Sequence, residues 1–309
     1  MENHEVVIIG GGPAGLATAL ALRELGITDV VVLEREEEAG GVPRHCGHRG
    51  FGFFKRWGFF TGPQLAAKLR SQTDLIDVRI KTTVLEFSLR GSLRVHGPEG
   101  IAEMGARKIV LATGTRESSR AARLIGGKRL PGIINTGTLQ EQVYLHHMKP
   151  FSKPVIIGSE WVSFSALMTC RHAGIKPRAM LTSGKKIDAP FYFSAGARFA
   201  FGSPVISNAE VVAIHGATYV EAVEIDVNGK TRMIDCDGVI LSGRFRSENA
   251  LYSNGFLERD GHAPKVSDEF RTSKPDIYAV GNVLGRLETA GTCMMEARKL
   301  ATLLAGELK

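Results

Sequence analysis

A six-residue run near the start of the chain constrains its fold more than any other feature. Gly10-Gly11-Gly12-Pro13-Ala14-Gly15 fits the spacing G-x-G-x-x-G. Its flanks carry the elements that this spacing needs. Val6–Ile9 before it is a continuous apolar run of strand length, and Asp29–Leu33 after it is another following one polar residue. Between them, Pro13–Leu25 reads as a helix, with proline in its first turn and Gly26 just past its end. Apolar runs without alternation belong to strands buried on both faces, so the segment predicts a βαβ unit in a parallel sheet. Gly10 permits the tight turn, Gly12 lets the backbone approach a pyrophosphate, and Gly15 lets the helix pack closely on the strand. The helix N-terminus then aims unpaired N–H groups and a partial positive charge at the phosphates. Glu34 closes the second strand at the distance where an acid grips a ribose hydroxyl pair, and its charge would repel a 2′-phosphate. A bare glycine pattern is often only a turn. Strand, helix and acid together make this one a dinucleotide site.

The same strand–glycine punctuation recurs. Lys108–Ala112 leads into Thr113-Gly114, and Ile277–Val280 leads into Gly281-Asn282. Between these, Val155–Ile157 leads into Gly158 and a helical segment from Trp161 to His172, and Gly238–Leu241 leads into Ser242-Gly243. One system is nested inside the other. The expected fold is α/β, with two Rossmann-like dinucleotide-binding domains and the second inserted in the first. Residues 1–118 with 247–309 form the first domain, and 119–246 the second.

Composition narrows the partners. A chain of 309 residues accommodates two cores, and 43% hydrophobic with 23% charged residues is ordinary for a globular protein. The net charge is +7, but the basic residues are scattered and no aromatic-interleaved basic stripe appears, which argues against nucleic acid. A dinucleotide, an anionic substrate or an acidic electron-transfer partner would benefit from the positive field. Met1-Glu2-Asn3-His4-Glu5 is polar and acidic, unlike a signal peptide. The apolar stretch Val6–Leu22 is broken by glycines and falls short of the roughly 20 residues of a membrane span. A cytoplasmic protein without a membrane span is expected. Cys46, Cys170, Cys236 and Cys293 lie far apart and form no C-x-x-C pair, so no zinc site, iron–sulfur cluster or vicinal disulfide is signalled. His146, His147, His172 and His215 lack metal-like partners in the sequence, and no metal is expected.

Taken in order, the first fingerprint with Glu34, Ala112-Thr113-Gly114, and the late run Thr272-Ser273-Lys274-Pro275-Asp276-Ile277-Tyr278-Ala279-Val280-Gly281-Asn282 resemble the two-dinucleotide-domain flavoproteins of the thioredoxin-reductase and glutathione-reductase-like family. That resemblance implies FAD. It places Gly10, Gly12, Pro13, Ala14 and Gly15 at the pyrophosphate, and Glu34, Arg35, Gly41 and Val84 around the rest of the cofactor. Ala112, Thr113, Gly114, Gly281 and Asn282 join them, with Thr289 and Ala290. The family usually has Gly-Asp at the late site, and Asn282 in its place can still hydrogen-bond a ribityl hydroxyl. Gly40-Gly41-Val42-Pro43-Arg44-His45-Cys46-Gly47-His48 and Glu288-Thr289-Ala290-Gly291 look like flavin-side segments of small flavin subunits of heteromeric dehydrogenases, the opine oxidase, D-hydroxyproline dehydrogenase and hydrogen cyanide synthase types. By this likeness Cys46 and His48 run near the isoalloxazine. His48 then serves as acid or base, and Cys46 as a flavin-side thiol or a small packing residue. Phe51, Phe53, Phe54, Trp57, Phe59 and Phe60 line a pocket, form a contact patch, or simply pack a core. Glu288–Gly291 opens the last helix, whose N-terminus favours negative charge at flavin N1–O2.

The second domain departs from the family. Its fingerprint reads Gly158-Ser159-Glu160-Trp161-Val162-Ser163, where only the first glycine survives. Glu160 brings bulk and negative charge to the phosphate approach, Ser163 replaces the packing glycine, and Ala179-Met180-Leu181 is followed by no acid or Arg pair. A retained scaffold is expected there rather than a working NAD(P)H site. Hydride then comes from an organic donor such as a secondary amine or imino acid, or from NAD(P)H through the degraded site. The expected function is an FAD-dependent oxidoreductase. It is the flavin subunit of an amine or imino-acid dehydrogenase of opine or hydroxyproline type, passing hydride from substrate to flavin N5 and on to an acceptor. A partner subunit or electron-acceptor protein completes it. The alternatives are an NAD(P)H-dependent flavin reductase and a non-catalytic FAD-bearing relay or assembly subunit.

Overall fold

A computed structural model describes residues 2–51, 59–87, 92–188 and 201–309. The chain divides into two compact units. One comprises Met1–Arg44, Arg49–Arg116 and Arg246–Lys309, the other His45–His48 and Glu117–Phe245.

The first unit is built on the βαβ segment read from the sequence: strand Glu2–Ile9, helix Pro13–Glu24 and strand Val30–Leu33. The two strands pair in parallel, Val6 opposite Val30 through Ile9 opposite Leu33. Asp77–Arg79 adds outside the second strand, and Gly100–Leu111 pairs with the first on its other side. The late strand Ile277–Ala279 then lies parallel to Ile109–Leu111. The start of the long Gly100–Leu111 strand turns back on Leu93–Gly97, which pairs with Thr83–Phe87 in an antiparallel meander.

Both faces of the parallel strands are covered, which is why their sequences do not alternate. Val6, Ile8, Val30, Val32 and Val110 face the first helix and the last, Ala290–Leu308. Val7, Ile9, Val31, Leu33, Ile109 and Leu111 face Tyr252, Leu257 and Val283. The far end of the last helix is pinned by a charged knot. Glu307 accepts hydrogen bonds from Tyr278 Oη (2.6 Å), Lys108 Nζ (2.7 Å) and Arg271 Nη2 (2.6 Å), and Lys108 also reaches Asp276 (2.6 Å).

The second unit repeats the plan. Its parallel sheet runs Ile133–Asn135, Val239–Leu241, Val155–Ile157, Ala179–Leu181, Val205–Ile206. Helices Thr136–Tyr144 and Trp161–His172 cover one face, burying Leu139, Phe164, Leu167 and Cys170 against Ile156, Met180 and Ile240. The antiparallel strands Ala209–His215, Ala222–Val227 and Lys230–Asp235 accompany the other face through Ile214, Val223 and Ile225. In each unit the fingerprint strand is central. On one side lies the strand that follows its helix, and on the other a strand ending in Thr113-Gly114 or Ser242-Gly243. Beyond that lies a strand that leads to a helix, Ala290–Leu308 or Thr136–Tyr144. The α/β fold with two dinucleotide-binding-type units is thus realised. Among the described residues no helix is long and apolar enough to cross a membrane.

The last helix closes the first core, so truncating its fully buried Leu304 to alanine is expected to cost about 2–5 kcal/mol of stability. Urea unfolding followed by circular dichroism measures this.

Candidate functional site

The first cradle starts from two glycines that no other residue can replace. A side-chain carbon on Gly10 (φ +111°) would lie 2.5 Å from the Ala112 carbonyl oxygen, and one on Gly15 would lie 1.9 Å from the Gly10 carbonyl oxygen. These contacts lock the turn to the neighbouring strand and the helix to the turn. Gly12 differs, because a carbon added there would meet nothing nearer than the Gly41 Cα at 3.9 Å. Its face is therefore open to a ligand. Gly12 is also the N-cap of the first helix, whose first turn contains Pro13 and no acidic residue. The positive end of that helix is left for an external anion.

Glu34 is buried at the rim of this loop. Its Oε2 accepts the Gly11 N–H and its Oε1 the Glu36 N–H, both at 2.9 Å. A carboxylate has about four acceptor sites, so two remain for a ribose diol. Gly41, at φ +61°, lies against Gly12, and the Gly40 N–H donates to the Gly11 carbonyl at 2.7 Å. Ala112 is tied to the first strand through its N–H to Ile9 at 2.9 Å. Thr113 Oγ1 donates to the Glu248 carbonyl (3.1 Å), and the Glu248 N–H returns a bond to Gly114 (2.9 Å). Gly114, at φ +72°, has open space where a side chain would stand.

The late segment closes the cradle from the other side. A side-chain carbon on Gly281 (φ +78°) would come within 2.8 Å of the Ala14 Cβ, so this loop passes directly against the first helix. The Asn282 amide ties off the following loop. Its Oδ1 accepts the Glu288 N–H (2.8 Å) and its Nδ2 donates to the Glu288 carbonyl (3.2 Å). Thr289 caps the last helix by accepting the Thr292 N–H at 3.3 Å, and Ala290 is the first helical residue. Arg35 is exposed and shares Glu248 with Arg116, at 3.9 and 3.7 Å. Val84 is buried in the core on the opposite sheet face.

The second unit keeps the shape of this cradle and fills it. A side-chain carbon on Gly158 (φ +129°) would sit 2.4 Å from the Ser242 carbonyl oxygen, reproducing the Gly10 joint. Ser163 stands where the packing glycine would be. Its hydroxyl and that of Thr136 both donate to Ser242 Oγ, at 2.9 and 3.0 Å. The Glu160 carboxylate accepts the Arg244 N–H at 2.8 Å and lies over Gly243, within 2.2 Å of the place a side-chain carbon would take there. Buried Glu117 takes the Gly243 and Gly137 N–H groups, both at 2.9 Å, so the N-terminus of the Thr136–Tyr144 helix is already occupied. Burial raises the Glu117 carboxyl above its usual range against these bonds. Below them the Arg123 guanidinium donates to the Gly243 (2.7 Å) and Ser242 (3.0 Å) carbonyls. Glu117 and Arg123 carry no motif that singles them out in the sequence, because their partners are backbone groups far along the chain.

Cys46 and His48 belong to the second unit. Cys46 is buried and donates its thiol to Gln140 Oε1 at 3.3 Å, while Gln140 Nε2 donates to Ser165 at 2.7 Å. Burial pushes the Cys46 thiol up to about 12, so it is a thiol at neutral pH, suited to packing and not to thiolate chemistry. His48 is half-buried. Of the aromatic run, Phe51 and Phe60 pack on the first core and Phe59 is exposed, whereas Phe53, Phe54 and Trp57 lie outside the described residues.

Residues 4–297 match the family model described as pyridine nucleotide-disulphide oxidoreductase. The chain belongs to this family. Hydrogen cyanide synthase subunit HcnB from Pseudomonas protegens is 32% identical to this chain over 161 residues, which is 50% of this chain and 33% of that one. The chain therefore spans about a third of that relative's length. Thioredoxin reductase from T. acidophilum superposes with a TM-score of 0.82 at 20% identity, covering 99% of both chains. L-proline dehydrogenase from P. horikoshii gives 0.76 at 21% identity, covering 99% of this chain and 55% of that one. FAD is the cofactor that membership of this family brings. The first cradle fits that cofactor: an open Gly12 face, a helix end free of acids and a rim carboxylate with spare acceptor sites.

If Glu34 holds the ribose, Glu34→Gln is expected to weaken FAD binding about 10- to 100-fold, the worth of hydrogen bonds to a charged group. Flavin fluorescence on titration into the apoprotein reports it. Cys46 is expected to resist iodoacetamide at pH 8 in the folded protein and to react after denaturation, as peptide mass spectrometry would show.

Proposed function

We propose that this chain is the flavin subunit of a heteromeric dehydrogenase that oxidises the carbon–nitrogen bond of an amine or imino acid, of opine or hydroxyproline type. The observation that carries the reading is the second cradle, where Glu160 and Glu117 take up N–H donors and space that a pyridine nucleotide needs, and Arg123 is spent on the carbonyls beneath. An organic donor then supplies the hydride. All four cysteines are single and buried, which speaks against disulfide exchange within the chain. It also suits a reducing compartment, the cytoplasm. Likeness to a hydrogen cyanide synthase subunit and, in fold, to an L-proline dehydrogenase agrees with such a donor and with a partner chain.

Bound FAD supplies a two-electron acceptor for hydride leaving a carbon next to nitrogen. The chain's own residues have separate tasks. The Gly12 face and the first helix hold the pyrophosphate, Glu34 the ribose, and Gly114, Gly281 and Asn282 the middle of the cofactor. The N-terminus of the last helix, capped by Thr289 and opened by Ala290, favours negative charge at the pyrimidine edge of the ring system. A partner subunit or an electron-acceptor protein holds the substrate or takes the electrons onward.

A second reading, an NAD(P)H-dependent flavin reductase, draws on the intact parallel sheet around Gly158. Anaerobic mixing separates the two. Bleaching of the flavin absorbance by a secondary amine or imino acid, with the copurifying chain present, is expected. Bleaching by NADH or NADPH at a catalytic rate would sink the proposal.

A further inference from the structure

The two units present the same three groups to their cradles: a fingerprint loop, a glycine at the end of the next strand, and the N-terminus of a second helix. In the first unit these are Gly12, Gly114 and the Thr289-capped helix, and none is filled by an acidic side chain of the chain itself in the bonds described above. In the second they are Glu160, Gly243 and the helix capped by Asn135, and two carboxylates occupy them. Glu117 is deep, nine-tenths shielded from solvent, and bound to two backbone N–H groups, with the Arg123 guanidinium near enough to act on its charge. Glu160 is the outer one. It is half-buried, and it bridges the two rims of the cradle by reaching from the fingerprint loop to the Arg244 N–H. The glycine beneath it makes this possible, since any side chain at 243 would collide with the carboxylate.

We infer that Glu160 is the residue that closes the second unit to anionic dinucleotides, its carboxylate serving as a built-in anion in the place of a pyrophosphate. The assignment rests on the reading that this unit does not deliver NAD(P)H electrons, and it names the group responsible. The physical argument is one of exchange. An incoming pyrophosphate meets a fixed negative charge, and it can gain the Arg244 N–H only by expelling a carboxylate already bonded there. Removing Glu160 leaves an unpaired N–H, the N-terminus of the Trp161–His172 helix with no acid in its first turn, and the positive charges of Arg123 and Arg244 around one space. That is the composition of an anion site. Glu117 keeps the Gly243 and Gly137 N–H groups in either case, so Glu160 is the outer of two carboxylates and the one that closes the approach at the Arg244 N–H.

Isothermal titration of the FAD-loaded protein with ADP-ribose, and separately with inorganic pyrophosphate, tests this at fixed ionic strength. Both probes are redox-inert, and the bound FAD keeps them from the first cradle. The wild-type protein is expected to show no saturation below about 1 mM, and Glu160→Gly to bind both probes about tenfold or more tightly than wild type. Glu160→Gln keeps the size and an acceptor for the Arg244 N–H while losing the charge, and is expected to fall between. Should the glycine variant not fold, as judged by its melting temperature and flavin content, the glutamine variant decides. Micromolar binding by the wild type, or equal affinity in wild type and variants, overturns the assignment. ADP-ribose carries no electrons, so failure here leaves amine oxidation untouched, and failure of flavin bleaching by amines leaves the closure standing.

Discussion

The Gly10 carbonyl, held beneath the first turn of a helix with no side chain between, is the contact on which the first unit depends. Only glycine at 15 allows it, and only glycine at 10 allows the same turn to sit against Ala112. Strand, helix and neighbouring strand end are thereby brought to one point. The phosphate approach at Gly12 follows from that geometry. The second unit keeps the strand side of the joint at Gly158 and relaxes the helix side. There the Ser163 and Thr136 hydroxyls meet on Ser242, and a small polar knot replaces the bare backbone contact. The fold survives this exchange because each hydroxyl of the knot, Ser163, Thr136 and Ser242, finds a partner.

Electrostatics then separates the two cradles. Each helix N-terminus offers donors and partial positive charge, and such a group buried without a partner is costly. In the first unit the Gly11 N–H goes to Glu34, and no side chain crowds the Gly12 face beside the helix N-terminus. In the second, Glu117 takes the Gly137 N–H at the start of the Thr136–Tyr144 helix, and Glu160 takes the Arg244 N–H. Glu117 and Arg123 are both buried and both spend their bonds on backbone groups of the Ser242-Gly243 strand end and the adjoining helix. The architecture is the same, and the occupant differs.

Much of this was legible in the residues. The Trp161–His172 helix and the Val155–Ile157 strand fall where punctuation by Gly158 and apolar periodicity place them, and the Gly10–Gly15 turn announces itself by spacing. The start of the last helix at Thr289-Ala290 was also readable. The antiparallel meanders were not. Thr83–Phe87 and Lys230–Asp235 are largely exposed and lack continuous apolar runs, and pairing with neighbours holds them as strands. The bulk and charge of Glu160 were visible, but its partner was not, because the Arg244 N–H lies far along the chain. Cys46 shows the same limit from the other direction. The residues leave Cys46 open between a flavin-side thiol and a small packing residue, and its bond to Gln140, 94 residues on, could not be read from the chain.

The nesting of one unit inside the other has a consequence for how the protein is made. The first cradle needs Gly281 against Ala14, the strand at Ile277–Ala279 and the helix at Ala290–Leu308. The ribosome delivers these after the whole of the second unit. The opening βαβ segment therefore emerges with half of its hydrophobic face uncovered and must wait, while residues 117–245 have everything they need to fold behind it. Synthesis order thus makes the inner unit the early folder and the outer, FAD-binding unit the late one. A chain interrupted before the last helix would carry a finished inner unit and an open, aggregation-prone outer sheet.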